Sequence, residues 1–97
     1  MQLTKTETAV LETLLGGREL YGLEMVKASE NALKLGSIYV ILGRLEDKGF
    51  VRSRKESDPA QVVPRRFYKI TGIGERALRA RSAAIAAMNA VYAEGRI

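Results

Sequence analysis

The 97-residue chain has no cysteine and no histidine. Their absence excludes disulfide frameworks, zinc fingers, thiol nucleophiles, Ser-His triads and imidazole-ligated metals together. Proline occurs only at positions 59 and 64, inside one short segment. No run of about eighteen apolar residues is present, so no membrane-spanning helix is expected. The N-terminal MQLTKTETAV lacks the basic-then-apolar build of a signal peptide, which predicts a cytoplasmic protein. A chain of this length forms one domain with a modest core, too small for a catalytic and a regulatory domain together. Adjacent carboxylates such as Glu46 and Asp47 diverge on a helix, poor geometry for acid–base work. No enzyme, catalytic residue, cofactor or metal site is expected.

What is present is positive charge, unevenly placed. The net charge is +5, yet residues 1–47 hold five Lys/Arg against seven Asp/Glu. Residues 48–69 hold Lys48, Arg52, Arg54, Lys55, Arg65, Arg66 and Lys69 against only Glu56 and Asp58. A basic patch this local says more about partners than a basic average does.

Periodicity supplies the elements. Thr4 followed three residues on by Glu7 is a capping-box signature, and Val10, Leu11, Leu14 and Leu15 then line one face of a helix that Gly16 and Gly17 stop. ELYGLEMVKASENA predicts a second helix of about three turns ending near Asn31, with Leu20, Leu23, Met25 and Val26 towards one side. In GSIYVILGRLEDKGF, a projection at about 100° per residue gathers Ile38, Ile41, Leu42 and Leu45 into one core sector. The opposite side carries Val40, Gly43, Arg44 and Asp47, flanked by Ser37 and Tyr39, and Lys48 and Gly49 end the helix. The period then changes: FVRSRKE and RRFYKIT read as antiparallel strands joined by a long tip, SDPAQVVP. Thr71 is an N-cap for a last helix whose first turn is expected to be loose at Gly72 and Gly74. From Glu75 onward Leu78, Ile85, Met88 and Tyr92 form a narrow heptad-like stripe, longer than so small a domain needs for itself, which predicts a partner helix.

Three helices, a positively charged hairpin and a fourth helix are the build of a winged helix-turn-helix: mainly α, with a two-stranded wing and a long C-terminal dimerisation helix. Residues 1–71 are expected to form the DNA-binding part and residues 72–97 the dimerisation helix, packed as a single unit. In this fold the third helix enters the major groove of double-stranded DNA while the hairpin lies along the adjacent backbone or minor groove. Lys34, Arg52, Arg54, Lys55, Arg65 and Arg66 are the candidates for phosphate contacts, which supply affinity without sequence information. Ser37, Tyr39, Val40, Gly43 and Arg44 are the candidates for base reading, Gly43 by letting the helix approach closely. Glu46 and Asp47 would repel phosphate and tilt the end of the helix away. Leu78, Ile85, Met88 and Tyr92 are assigned to the face that meets a partner helix, which the resemblance given below implies to be that of a second copy. The alternative is a winged-helix module whose basic hairpin binds an acidic protein partner.

From about Thr4 to Leu78 the chain resembles the PadR-like family of bacterial transcriptional regulators. ELYGLEMVK, GSIYVILGRLEDKGFV and RRFYKITGIGERAL carry the resemblance. The second is similar to a family pattern of Gly-Thr-Leu-Tyr, then Leu, then Arg-Leu-Glu and a closing Gly, met here by Gly36, Ser37, Ile38, Tyr39, Leu42, Arg44, Leu45, Glu46 and Gly49. Tyr68, Thr71 and Gly74 match the third. The resemblance implies a homodimeric repressor on a palindromic operator, of the short form with one C-terminal helix. It also implies a small aromatic effector as a partner, although family members that hold one between tryptophans differ from this chain, which has none. Three departures stand out: Lys34 and Leu35 replace a helix-starting Ser-Pro, Gly43 replaces a polar or basic residue, and the wing tip has less glycine and is expected to be stiffer.

Overall fold

In the computed structural model, which describes residues 3–57 and 65–94 with side chains through Val91, the order is α1 (Lys5–Thr13), α2 (Gly22–Ala28), α3 (Leu35–Asp47), β1 (Val51–Glu56), β2 (Arg65–Ile70) and α4 (Gly72–Glu94). The fold is the expected winged helix-turn-helix with a long last helix. The wing tip from Asp58 to Pro64 and the Tyr92 side chain lie outside the described residues.

The capping box of α1 forms as its sequence predicts: Thr4 Oγ1 accepts the Glu7 N–H at 3.1 Å, and Glu7 Oε1 accepts the Thr4 N–H at 2.9 Å. Glu7 has a second partner that local pattern does not reveal. Its side chain, only 2% exposed, accepts a hydrogen bond from Lys48 Nζ at 2.7 Å, just beyond the end of α3. One lysine of the basic segment, half-buried, therefore pairs with a buried carboxylate and pins the end of α3 to the start of α1.

The second helix is shorter than expected, seven residues rather than three turns. Ser29 ends it: its hydroxyl donates to the Val26 carbonyl at 2.7 Å and accepts the Leu33 N–H at 3.0 Å. Glu30 and Asn31 then take left-handed backbone angles, φ 53° and 72°, and reverse the chain into α3. Leu20 lies before the helix, paired with β2, and Leu23 is exposed rather than facing the core. Leu15, past the end of α1, is exposed as well.

The core is made by Val10, Leu11 and Leu14 of α1, Met25 of α2, Leu33 of the turn, and Ile38, Ile41, Leu42 and Leu45 of α3; Val51, Tyr68 and Ile70 of the hairpin close it. Helix α3 ends in a Schellman motif, the Gly49 N–H donating to Glu46 O and the Phe50 N–H to Leu45 O, both at 2.9 Å, with Gly49 at φ 78°. β1 follows directly and pairs antiparallel with β2 from Val51↔Ile70 to Glu56↔Arg65.

The start of α4 is tightly held, contrary to the expected loose turn. Thr71 Oγ1 accepts the Gly74 N–H at 3.1 Å and donates to Gly49 O at 2.7 Å, while the Thr71 N–H donates to Phe50 O at 3.0 Å. Gly74 is buried, and only glycine fits there because a Cβ would clash with Phe50 O. Leu78, assigned to the partner stripe, is 7% exposed and belongs to the chain's own core. From Ser82 to Val91 every residue of α4 is exposed.

The Glu7–Lys48 pair has a pH signature. Burial pushes the Glu7 carboxyl up, but hydrogen bonds from Lys48 and Thr4 and the Lys48 charge outweigh it and hold the carboxyl below its ordinary value. A carboxylate with a depressed folded pKa stabilises the fold above its unfolded pKa and loses that contribution as pH falls through the folded one. Glu7→Gln should cost about 1–2 kcal/mol at pH 7, because Lys48 can swing to water, and the gap to the wild type should close in acid. Urea denaturation across the acid range measures both; a gap independent of pH would contradict the assignment.

Candidate nucleic-acid interface

The outward side of α3 is open. Lys34, Ser37, Arg44 and Asp47 are exposed, and so, to more than half of their area, are Leu35, Tyr39 and Val40. A Cβ added at Gly36 or Gly43 would meet nothing within 4 Å, so the fold itself asks for no glycine at either place. Gly36, Val40 and Gly43 follow one another at intervals of four and three along a single ridge, leaving Val40 between two positions without side chains. Tyr39 stands beside that ridge with the end of its ring over Gly22: a Cβ there would be 2.8 Å from both Tyr39 Cζ and Oη. Lys34, at the N-cap, makes no side-chain cap, in keeping with the missing Ser-Pro. Leu35 is an exposed apolar residue at the head of this surface that helical spacing did not single out.

Strand register sorts the basic residues of the wing onto two faces. Val51, Ser53, Lys55, Arg66, Tyr68 and Ile70 share the face turned towards α3. Ser53 donates a short hydrogen bond to Glu46 of α3 and accepts one from Arg66 Nη1 at 3.0 Å. Glu46 thus faces the wing and anchors it, while Asp47 is exposed at the end of α3. The Glu46 carboxylate acts as a second influence, after burial, in pushing the Tyr68 phenol up. Beyond this anchor Lys55 and Arg66 stand directly opposite each other.

The other face is a self-contained cluster. Arg54 Nε and Nη2 donate to both oxygens of Glu19, at 2.9 and 2.6 Å, Nη1 donates to Glu56 at 2.8 Å, and the guanidinium stacks 5.0 Å from the Phe67 ring centre. The bond from Arg54 holds the Glu19 carboxyl below its ordinary range, and Glu19 and Glu56 raise the arginine further. Tyr21 meets Phe67 edge-on at 5.6 Å, and Arg65 lies 4.7 Å over the Tyr21 ring. Arg54 and Arg65, grouped with phosphate contacts from charge alone, are here engaged by Glu56 and Phe67 of the wing and by Glu19 and Tyr21 of the segment before α2. Arg52 lies on this face opposite Lys69, and neither forms an ion pair among the described residues. Glu19 had no sequence signal as a partner, since only the register of the hairpin brings Arg54 to it.

A hollow along α4, beside the segment that precedes α1, is lined by Leu3, Ala77, Ala80, Arg81, Ala84, Ile85 and Met88. Ile85, Met88 and Val91 are exposed, and the chain is elongated, 63 × 25 × 22 Å. Among the described residues no helix is long and apolar enough to cross a membrane.

Comparison with known proteins agrees with this geometry. A PadR family transcription regulator from hypervirulent Clostridium difficile R20291 is similar in fold, with 21% identity over 97% of this chain and 100% of that one and a TM-score of 0.79. A PadR family transcriptional regulator from Eggerthella lenta DSM 2243 matches 92% of this chain and 79% of that one at 24% identity and a TM-score of 0.77. Bacillus subtilis PadR, solved in complex with operator DNA, matches 77% of this chain but only 45% of that one, at 25% identity and a TM-score of 0.69. A comparison with curated proteins yields no match. The model of the transcriptional regulator PadR-like family matches residues 10–80, most of the chain. With the third helix, wing and last helix in place and the family model spanning all but its ends, the chain belongs to the PadR-like family of transcriptional regulators, a family of regulators and not of enzymes.

Proposed function

We propose that this chain is a sequence-specific double-stranded DNA-binding regulator that acts in the cytoplasm as a homodimeric repressor on a palindromic operator. The observation that carries the reading is the meeting of two surfaces at the Glu46–Ser53 contact. The open ridge of α3 adjoins a wing face on which Lys55 and Arg66 stand directly opposite each other. Like charges across a ladder destabilise a free hairpin. They make sense where an anion is to be met. On this reading Arg66, Lys55 and Lys34 neutralise phosphates, Arg44 reads a guanine, and Tyr39 and Val40 make the apolar base contacts. Arg54 and Arg65 hold the wing in shape. The operator-bound Bacillus subtilis PadR supports DNA as the ligand class.

A second copy is the partner that suits α4. Beyond Arg81 the helix carries exposed Ile85, Met88 and Val91. Its small residues Ala77, Ala80 and Ala84 line the hollow with Leu3 and would admit a close helix. A two-fold axis there would present two α3 helices to successive major grooves, about 34–36 Å apart.

Selection of bound duplexes from a random pool should enrich a two-fold symmetric site, with affinity falling steeply with salt. Arg44→Ala should cost about 1–3 kcal/mol on the enriched site and little on random DNA, whereas Arg66→Ala should weaken both and lower the salt slope by about 1. No duplex binding at low salt, together with capture of acidic protein, would replace DNA with a protein partner.

Truncation after Ala80 keeps Leu78 and the rest of the core but removes Ile85, Met88 and Val91. Light scattering should then report a folded monomer with much weaker binding to the enriched duplex. A dimer that survives the truncation would refute the role given to α4.

A further inference from the structure

Gly22 opens α2 with an ordinary backbone conformation, so nothing in its φ demands glycine. What fills the space of a side chain is Tyr39, whose Cζ and Oη would each lie 2.8 Å from a Cβ at position 22, and whose Cε1 would lie 3.2 Å away. Gly22 is buried, yet Tyr39 is 56% exposed. Only the end of the ring touches the glycine; the rest faces outward.

The two residues before Gly22 are tied to the wing. Leu20 exchanges backbone hydrogen bonds with Tyr68 at 2.8 and 3.1 Å, and Tyr21 meets the Phe67 ring edge-on. Three consecutive residues therefore touch β2, the wing's aromatic cluster and the exposed tyrosine of α3. We propose that Gly22 is a positioning residue of the reading face: its missing side chain seats the Tyr39 ring, and the segment Leu20–Tyr21–Gly22 aligns that ring with the wing before DNA arrives. The proposal rests on the reading that α3 meets DNA. An exposed tyrosine otherwise samples several rotamers and must be ordered on binding; a ring seated beforehand avoids that cost.

The chemistry of the contact makes fold and function separable. A methyl at position 22 collides with the far end of a side chain that has solvent to turn into, and alanine is the better helix former. Gly22→Ala should therefore melt at the same temperature as the wild type or higher, while the ring loses its place. In the free wild-type protein, nuclear Overhauser contacts should join the Gly22 α-protons to the Tyr39 ring; their absence would overturn the seat whatever the ligand. On the enriched duplex Gly22→Ala should lose roughly five- to tenfold in affinity, about 1 kcal/mol, and little on random DNA. In a Tyr39→Ala background the same change should add nothing. Wild-type affinity for Gly22→Ala, or an undiminished loss in the Tyr39→Ala background, would overturn the proposal. Wild-type binding by Tyr39→Ala, with Arg44→Ala still impaired, would overturn it and leave the DNA reading standing. Failure of the wild type to bind any duplex would remove both.

Discussion

The fold turns on one carbonyl. Phe50 O accepts the Thr71 N–H and is the atom against which Gly74 closes. Phe50 sits where the end of α3, the beginning of the wing and the beginning of α4 meet, and its own N–H completes the Schellman turn that ends α3. With Thr71 reaching from there to Gly49 O, the direction in which α4 departs is fixed relative to α3. In the proposed dimer that angle sets the separation of the two reading helices. The spacing of an operator would thus be written in a few hydrogen bonds far from any base.

The second constraint lies on the other side of the wing. A two-stranded hairpin alone is marginal in water. This one gains a third partner in Leu20, an aromatic and guanidinium cluster on one face, and the Glu46–Ser53 link to α3 on the other. Partly buried and exposed ionic contacts divide the work: Glu7–Lys48 ties α1 to the end of α3, while Arg54 and Glu19 join two surface segments. The exposed pair gains less per contact, but its bidentate geometry and its neighbouring rings give it a defined shape.

The sequence is most legible where the physics is local. The capping box at Thr4, the double glycine after α1, the four-residue core stripe of α3 and the closing Gly49 all involve interactions within a few residues, and each forms as expected. The hairpin follows from its change of period, whereas its register is read from the structure alone. What escapes is non-local. Ser29 and two non-glycine residues at positive φ shorten α2 without any glycine or proline to announce it. Gly74 looks like a helix weakness until Phe50 O is placed against it. Arg54 and Lys48 count as free charge until Glu19 and Glu7 are seen opposite them. Leu78 belongs to the heptad stripe by spacing and to the core by position, because α4 changes role along its own length.

The like-charged pairs across the hairpin have a consequence for how the molecule responds to its medium. Lys55 faces Arg66 and Arg52 faces Lys69, so dissolved ions shield a repulsion inside the unliganded wing. In the proposed complex the same ions would weaken the attraction of that wing for DNA. Ionic strength therefore acts on the two states in opposite senses, relaxing the free protein as it loosens the complex.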